Sequence, residues 1–281
     1  MTKPGANPSI WDTKPLDPTA ILLTDKVAIV TGAAQGIGEA TALALARFGA
    51  HVAVCDRKKE GVLATGREIE ALGRRTHVGV LDVRDEDAAS AFIAEVGEKF
   101  GAVDILVNNA GGGFWSPFLE VNAKGENALI RENFGSVTIF IRHTAPLMTN
   151  GGSIINVTSI EGHRAGPGFA IYSAMKAAVT NLTFSLAMEL ASSKIRINCI
   201  APDMVPTPGD EGLGDASGAI DFAGLELTAW PETGSVQDCA AAAVYLASDM
   251  SRFMTGAALH IDGGTWASHG WKVKSAGGFT L

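Results

Sequence analysis

The stretch Gly152–Glu189, GSIINVTSIEGHRAGPGFAIYSAMKAAVTNLTFSLAME, decides how this chain is organised. Its apolar run Ser153–Val157 predicts a strand that ends in Thr158 and Ser159. A loop with glycine and proline follows, and a long helical pattern begins near Phe169. Polar side chains therefore stand where a strand ends and a helix begins, which in an open α/β sheet is the edge that binds ligands.

Tyr172 and Lys176 lie four residues apart on the predicted helix. At that spacing they share one face, with Cβ atoms about 5–6 Å apart. Such a pair is more commonly a solvated surface pair than a functional one. Three features favour function here: Ser159 past a strand end, a glycine-rich loop near the N-terminus, and Asn133 between them.

The length fits one large α/β domain as well as two small ones, and no shift in composition marks a second domain. The 281 residues include 33 glycines, and 47% of the residues are hydrophobic. The net charge of -8 argues against a nucleic-acid partner, and no basic run indicates an anionic membrane surface. No apolar run approaches the ~20 residues that span a bilayer, and no signal-peptide pattern opens the chain. We therefore predict a cytoplasmic protein with a small-molecule substrate.

The three cysteines, Cys55, Cys199 and Cys239, are odd in number and far apart. Each stands in an apolar or helical context, which favours small buried side chains in a reducing compartment. Their spacing matches no metal-binding motif, so no metal is expected.

Strand and helix patterns alternate from Lys26 onward. The predicted strands are Val27–Val30, His51–Cys55, Thr76–Leu81, Val103–Val107, Ser153–Val157, Ile195–Ile200 and Ala257–Ile261. The predicted helices are Ile37–Phe48, Lys59–Leu72, Asp85–Phe100, a stretch at 123–148, Phe169–Ser192 and Ser235–Ser248. Repeated βα units imply right-handed crossovers and a parallel sheet with helices on both faces, in a single α/β domain.

Three segments depart from this alternation. Residues 1–24 carry four prolines and are predicted to form an extended arm ahead of a catalytic domain at 25–264. Residues 203–230 have no clear period and follow the sixth strand, so they are predicted to form a substrate lid. Residues 265–281 form a C-terminal tail.

The predicted helices at 123–148 and 169–192 are apolar nearly all round. Packing against the sheet buries only one face of a helix, so their other faces require a partner. We therefore predict a homotetramer or homodimer that forms through these two helices.

A glycine-rich loop, Thr31–Gly38, follows the first strand and opens a helix. Its glycines allow a tight turn and a close approach of the backbone to a pyrophosphate. The helix N-terminus adds free N–H groups and the positive end of the helix dipole. The spacing is G-x-x-x-G-x-G, and the strand before and helix after it favour a nucleotide site over a simple turn.

Asp56 ends the second strand, 18 residues past Gly38. A carboxylate there accepts hydrogen bonds from the adenine-ribose hydroxyls and repels a 2′-phosphate, so NAD is favoured over NADP. Gln35 adds no positive charge to the loop, whereas Arg57 is able to pair with a phosphate. Two alternatives stay open. Asp56 could be a simple surface carboxylate at a strand end, and Asp82 could be a turn residue and not an adenine contact.

Five motifs follow one another along the chain: the loop Gly32–Gly38, Asn108-Asn-Ala-Gly111, Asn133, Ser159 and Tyr172-Ser-Ala-Met-Lys176. Together, over nearly the whole chain, they resemble the short-chain dehydrogenase/reductase family. The resemblance implies a Rossmann-type, doubly wound, seven-stranded parallel sheet, a nicotinamide cofactor and hydride transfer between an alcohol and a carbonyl. It implies that the catalytic residues are Asn133, Ser159, Tyr172 and Lys176. The expected cofactor-binding residues are Gly32, Gln35, Gly36, Ile37, Gly38, Asp56, Arg57, Asp82, Val83, Asn109, Ala110, Gly111, Tyr172, Lys176, Pro202, Val205 and Thr207.

The chemistry of the four catalytic residues agrees with the resemblance. Tyr172 would take the hydroxyl proton as hydride leaves carbon, which requires its pKa to fall by ~3 units from ~10. Lys176 and the oxidised nicotinamide each supply a positive charge for that shift, and Lys176 can also hold the nicotinamide ribose. Ser159 would polarise the substrate oxygen. The resemblance implies that Asn133 binds a water molecule that links Lys176 to solvent.

Two features depart from the family's pattern. Asp203 follows Pro202 where the family commonly has glycine, which adds bulk and a carboxyl group near the nicotinamide face. The chain also extends past the usual end, and Trp266, Trp271 and Phe279 in this tail are expected to pack on a neighbouring subunit or to cap its pocket.

The expected substrate pocket is mainly apolar. Its candidate residues are Gly112, Gly113, Phe114, Trp115, Glu161, His163, Phe169, Met204 and Val205. Such a pocket favours a hydrophobic secondary alcohol or ketone, such as a steroid or another ring compound, although the aromatic residues equally fit core or interface packing. A 3-oxoacyl-[acyl-carrier-protein] reductase, which would favour NADP and a basic docking patch, stays open. So does a catalytically silent nucleotide-binding sensor or scaffold.

Overall fold

Seven short apolar runs form one parallel sheet. The strands are β1 Val27–Thr31, β2 His51–Asp56, β3 Thr76–Val80, β4 Ile105–Asn108, β5 Gly152–Val157, β6 Ile195–Pro202 and β7 Ala258–Ile261. Every neighbouring pair in the order β3-β2-β1-β4-β5-β6-β7 is parallel. All residues of β1 and β4 are buried, as expected for a sheet that is covered on both faces. This computed structural model describes residues 15–210, 229–274 and 278–280.

Helices cover both faces of the sheet. They are α1 Gly36–Arg47, α2 Lys59–Ala71, α3 Glu86–Phe100, α4 Ala123–Ile130, α5 Ser136–Thr144, α6 Ala170–Glu189, α7 Val236–Ala247 and α8 Thr265–Ser268. Helices α1, α2 and α7 pack into the hydrophobic core on one face. Helices α3, α5 and α6 pack into the core on the other face. The predicted doubly wound, Rossmann-type fold is confirmed.

The strand order reverses between β1 and β4. From β1 the chain moves outward through β2 to β3, and then returns to place β4 on the other side of β1. Such a switch point leaves a crevice outside the carboxyl ends of the strands, where open α/β sheets bind their ligands. The strand ends Thr31, Asn108 and Val157 lie along this edge.

The predicted helix at 123–148 is not continuous. α4 ends at Ile130, a π-helical turn spans Arg131–Gly135, and α5 begins at Ser136. A π-helical turn inserts an extra residue into the helix, and such turns are frequent at functional sites. The turn contains Asn133, and a simple helical period in the sequence does not reveal it.

The segments that depart from the βα alternation are described in part. Of the predicted lid at 203–230, residues 211–228 lie outside the described residues, as do residues 1–14 of the predicted arm. In the tail, Trp266 stacks on His260 of β7 with ring centroids 5.3 Å apart, so it packs on its own chain. Two short strands, β8 Lys272–Val273 and β9 Phe279–Thr280, then pair antiparallel.

Cys55, Cys199 and Cys239 are buried free thiols, as predicted. Among the helices of residues 15–210, 229–274 and 278–280, none combines the length and the apolar character that crossing a membrane requires.

Candidate active site

A cleft of 550 Å³ opens at the carboxyl edge of the sheet. The glycine loop and the ends of β2 and β3 line one end, and Ser159, Tyr172 and Lys176 line the other. Every expected cofactor-binding residue lines this cleft except Gly38, which lies behind the glycine loop. The structure therefore brings the two sets of predicted residues into one cleft.

The glycine loop depends on backbone conformations and close contacts that only glycine allows. Gly32 and Gly36 have φ angles of 66° and 63°, in the left-handed region. A Cβ atom on Gly38, in the first turn of α1, would overlap the Gly32 carbonyl oxygen and Asn109 Nδ2. Gly38 therefore lets α1 pack closely under the loop, which keeps the helix N-terminus directed at the cleft.

Replacing Gly38 with alanine is expected to lower the free energy of unfolding by about 1–3 kcal/mol, because the added methyl overpacks a backbone contact. Affinity for NADH should fall in parallel, since the loop has to shift. Gly97 is a matched control, because it also lies in a helix but a Cβ there would meet only the side chain of Leu147, at 3.3 Å. Urea denaturation and NADH fluorescence titration test both; a Gly38→Ala protein as stable as Gly97→Ala would contradict this account.

Thr31 and Asn109 join the ends of β1 and β4. Thr31 Oγ1 accepts hydrogen bonds from the backbone N–H groups of Asn109 and Ala110, each at 3.0 Å. Asn109 Nδ2 donates to the carbonyl oxygens of Thr31 at 3.0 Å and Gly32 at 3.1 Å. Thr31 begins the predicted glycine loop, but no role in the site was predicted for it. Its signal is a hydroxyl residue at a strand end directly before the first loop glycine.

Asp56 links the end of β2 to the glycine loop. Its Oδ2 accepts a hydrogen bond from the backbone N–H of Ala34 at 3.1 Å, and its Oδ1 accepts one from that of Lys58 at 2.8 Å. Lys58 Nζ in turn donates to Gln35 Oε1 at 2.6 Å. Lys58 lines the cleft but was not predicted, and the basic run after Asp56 was its signal. These contacts hold the Asp56 carboxylate at one end of the cleft.

Asp82 lines the same end, but its carboxylate already has a partner. Arg84 Nε lies 2.9 Å from Asp82 Oδ1 and 3.1 Å from Oδ2. The hydrogen bond with Arg84 lowers the pKa of Asp82 to about 2. An adenine contact through this side chain would compete with Arg84, whereas the neighbouring Val83 offers an apolar contact.

Ser159, Tyr172 and Lys176 meet at the other end of the cleft. The Lys176 ammonium is buried, donates to the Val157 carbonyl oxygen at 3.0 Å and lies 5.4 Å from the centre of the Tyr172 ring. The Ser159 hydroxyl acts on that of Tyr172 and lowers its pKa, against the larger effect of burial. The strand end and the helix face predicted from the sequence are thus in direct contact.

Asn133 supports this end from behind. Its Oδ1 accepts from the Gly112 N–H at 3.2 Å, and its Nδ2 donates to the carbonyl oxygens of Gly112 at 2.8 Å and Leu129 at 3.1 Å. A Cβ on Gly111 would lie 2.8 Å from Asn133 Oδ1 and 3.2 Å from Lys176 Nζ. The Asn133 amide therefore fixes the loop after β4 next to Lys176.

Burial shifts the pKa of both Tyr172 and Lys176. It raises the pKa of Tyr172 above the ordinary value, against the hydrogen bond with Ser159. It lowers the pKa of Lys176 to about 8, against the nearby carboxylate of Glu132. Lys176 was expected to help lower the pKa of Tyr172, but burial outweighs the effect of the chain's own groups. A further positive charge, such as that of an oxidised nicotinamide, is needed to lower it.

Three charged residues lie beside Ser159. Glu161 Oε2 accepts a hydrogen bond from Ser159 Oγ at 2.5 Å. The Arg164 guanidinium lies 3.3 Å from Glu161 Oε1 and 3.3 Å from Asp203 Oδ2. Burial raises the pKa of Asp203. Asp203, which departs from the family's pattern, thus ties the start of the predicted lid to the loop after β5.

The structure divides the other substrate-pocket candidates into two groups. Those that line the cleft are Gly112, Gly113, Phe114, Phe169 and Val205. Trp115 packs against Gly168 behind them, and His163 packs against His260 and Trp266, with ring centroids 4.7 and 5.7 Å apart. Met204 adopts a φ of 51° where β6 ends. The lining on this side is therefore mainly apolar.

The chain matches the family model described as enoyl-(acyl carrier protein) reductase over residues 32–265. A 3-oxoacyl-[acyl-carrier-protein] reductase FabG of Thermotoga maritima is 35% identical over 244 residues, which cover 86% of this chain and 98% of that protein. The chain belongs to the short-chain dehydrogenase/reductase family. The resemblance found in the sequence motifs is confirmed.

Two solved structures of related dehydrogenases are similar to this member of the family. Carveol dehydrogenase of Mycobacterium avium, in complex with NAD, has a TM-score of 0.83 and 28% identity, and the match covers 87% of this chain and 99% of that one. A 7α-hydroxysteroid dehydrogenase, complexed with NADH and 7-oxo glycochenodeoxycholic acid, has a TM-score of 0.82 and 31% identity. The match covers 89% of this chain and 97% of that one. This short-chain dehydrogenase/reductase is an oxidoreductase that acts on CH–OH groups with a nicotinamide cofactor.

The residues of the cleft fit that cofactor. The N-terminus of the 12-residue helix α1 presents backbone N–H groups for a pyrophosphate, and its glycines leave room for the close approach. Asp56 at one end suits ribose hydroxyls, and the ammonium of Lys176 at the other has N–H groups beyond the one bonded to Val157.

Proposed function

We propose that this protein is an NAD(H)-dependent oxidoreductase that interconverts a hydrophobic, cyclic secondary alcohol, such as a hydroxysteroid-like compound, and its ketone. The observation that carries the proposal is that one cleft holds Asp56 at one end and Ser159, Tyr172 and Lys176 at the other. This arrangement places a ribose-recognition group and a proton-transfer group in the same cleft.

Each catalytic side chain has a role that its contacts support. In oxidation the Tyr172 phenolate accepts the substrate's hydroxyl proton, and in reduction the phenol returns it. Ser159 Oγ donates a hydrogen bond to the substrate oxygen. Lys176 Nζ, with one N–H on Val157, keeps two for the cofactor's ribose. The bound nicotinamide supplies the hydride acceptor or donor. The side chain of Asn133 is hydrogen-bonded to Gly112 and Leu129. The water that was expected to link Asn133 and Lys176 to solvent stays a prediction.

The preference for NAD over NADP follows from charge. The Asp56 carboxylate would repel a 2′-phosphate placed where the ribose hydroxyl binds. Arg57, which favours NADP, lies 4.0 Å from the carboxylate of Glu132, which offsets its charge. The ribose end of the cleft therefore favours the cofactor without the phosphate.

Substitution of Asp56 by asparagine or alanine is expected to lower kcat/KM for NAD about tenfold or more, because a charge-assisted hydrogen bond contributes about 1.5–3 kcal/mol. The value for NADP should fall less or rise, because the repulsion is gone. Initial rates with both cofactors give the ratio. Asp87→Asn, an exposed carboxylate on α3, is the control and should leave that ratio unchanged. A ratio that Asp56→Asn and Asp56→Ala also leave unchanged would contradict the role given to Asp56.

The substrate class rests on the lining of the cleft. Phe114, Phe169 and Val205 are the larger apolar side chains at its substrate end, and an apolar lining suits a ring compound. The names of the two similar structures also concern cyclic compounds, carveol and a 7-oxo bile acid. Reduced-cofactor formation, measured at 340 nm with steroid, cyclic, aliphatic, sugar and 3-hydroxyacyl alcohols, tests this. Activity confined to open-chain or sugar alcohols would overturn it.

A second candidate is a 3-oxoacyl-[acyl-carrier-protein] reductase, which the 35% identity to the Thermotoga maritima enzyme favours. Asp56 and the net charge of -8 oppose it, since that reaction would favour NADP and a basic surface for an acidic carrier. This second candidate would be favoured if the protein reduced acetoacetyl-carrier protein with NADPH faster than it reduced any cyclic ketone with NADH. A silent nucleotide sensor would instead bind NADH and turn over neither substrate.

Two large apolar side chains on α6 are exposed in the single chain. On α6, Phe184 is 45% and Met188 81% exposed in the single chain, which supports burial against a second copy through the segments 123–148 and 169–192. We propose a homotetramer or homodimer, which sedimentation velocity would separate from a monomer. The cytoplasm is the proposed location.

A further inference from the structure

The loop after β5 holds a carboxylate that the proposed reaction does not use. Glu161 stands two residues beyond Ser159, and its Oε2 accepts the Ser159 hydroxyl proton at 2.5 Å. The other oxygen, Oε1, lies 3.3 Å from Arg164, which also pairs with Asp203. The ion pair thus fixes one oxygen of Glu161 and directs the other at a catalytic hydroxyl.

Substrate binding has to break the bond between Ser159 and Glu161. Ser159 Oγ carries one proton, and in the proposed reaction that proton is donated to the substrate oxygen. Glu161 Oε2 then loses its donor. Arg164 contacts the other oxygen, Oε1, through Nη2, which it shares with Asp203 Oδ2. The Glu161 side chain is only 25% exposed before any substrate covers it. Leaving a buried acceptor without a hydrogen-bond donor costs free energy, which would weaken substrate binding.

A second hydroxyl on the substrate can supply the missing donor. Glu161 Oε2 lies at hydrogen-bond length from Ser159 Oγ, and the substrate oxygen would bind Ser159 Oγ at a similar length, so the two acceptors would be at most about 5–6 Å apart. Ser159 lines the cleft and Glu161 does not, so a hydroxyl on the carbon next to the reacting one would have to reach past Ser159 to Oε2 while the first hydroxyl stays on Ser159. An anionic substrate group does not fit, because Glu161 and Asp203 place two carboxyl groups around the single guanidinium of Arg164.

We propose that Glu161 is a specificity-determining residue that accepts a hydrogen bond from a hydroxyl next to the reacting carbon, so that the preferred substrate is a cyclic vicinal diol or its α-hydroxy ketone. This inference rests on the proposed function. In oxidation, hydride leaves the carbinol carbon with two electrons for the oxidised nicotinamide, and the hydroxyl proton passes to the Tyr172 phenolate. The products are the α-hydroxy ketone and the reduced cofactor, and the second hydroxyl is unchanged.

The test compares cyclohexanol with cis- and trans-1,2-cyclohexanediol in the presence of NAD. For the wild type we expect kcat/KM to be roughly tenfold or more higher for one diol than for cyclohexanol, because the diol leaves no acceptor unpaired. Glu161→Ala should bring this ratio close to one, and Glu161→Gln, which keeps an acceptor oxygen, should give an intermediate ratio. Glu98→Ala, an exposed carboxylate on α3, is the matched control.

A binding measurement separates this inference from the proposed function. The dissociation constants of the same alcohols are measured by calorimetry for the NAD complex of Tyr172→Phe, with and without Glu161→Ala. Turnover of all alcohols at similar rates by the wild type, or a preference that Glu161→Ala retains, would overturn the inference and leave the function standing. Absence of turnover, with tighter diol binding that depends on Glu161, would overturn the function and support the recognition. Equal binding of all three alcohols would overturn the recognition.

Discussion

Tyr172→Phe is expected to lower kcat roughly a thousandfold, within the 10²- to 10⁴-fold that proton transfer by a positioned side chain contributes. The variant loses only the phenol oxygen, so it keeps the ring that packs beside Phe169 and Lys176. NADH affinity and the urea midpoint should therefore stay close to those of the wild type. Rates are measured with the best substrate of the alcohol panel, and NADH binding is measured by fluorescence.

The chain provides a matched control for this substitution. It has two tyrosines, and the second, Tyr245, lies on α7, partly buried against the hydrophobic core on the opposite face of the sheet from α6. Tyr245→Phe should leave kcat unchanged. Turnover retained by Tyr172→Phe would remove Tyr172 from the mechanism, and equal losses in both variants would point to a general effect on folding.

Lys176→Met is expected to lower kcat/KM about a hundredfold or more. The change keeps the length of the side chain but removes the charge that stabilises a Tyr172 phenolate and the N–H groups proposed to hold the cofactor's ribose. Part of the loss should therefore appear as a raised KM for NAD. Lys176→Arg, which keeps a charge, should lose less, and Lys124→Met on the exposed surface of α4 should lose nothing. Full activity of Lys176→Met would contradict the proposed role.

The same substitution has a pH-dependent effect on stability. Burial lowers the pKa of Lys176 from 10.5 to about 8, so between these values the unfolded chain binds more protons than the folded one. The contribution of Lys176 to the free energy of unfolding therefore rises with pH across that window. Lys176→Met lacks this contribution, and the difference between wild type and variant should change between about pH 8 and 10.5. Urea denaturation over that range measures it, and a constant difference would show that the ammonium is not buried.

Local patterns in the sequence predicted most of the fold. The strands of the sheet begin and end within two residues of their predicted bounds, and the helix ends Phe100 and Gly36 were placed to within one residue. Helix and strand impose periods of 3.6 and 2 on the buried side chains, so a window of a dozen residues contains the necessary information. The π-helical turn at Arg131–Gly135 was missed because one added residue disturbs the helical period too little to see.

Most strands and helices, the glycine loop and the Tyr172–Lys176 pair were predictable from local sequence, because each depends on residues within a few positions of one another. The contacts of these residues depend on how the chain folds in three dimensions. Asn109 lies 78 positions from Thr31, and Asp203 lies 39 positions from Arg164, yet each pair is hydrogen-bonded. The pKa shifts of Tyr172 and Lys176 also arise from burial. Burial and long-range contacts depend on how the elements pack, which no local spacing contains.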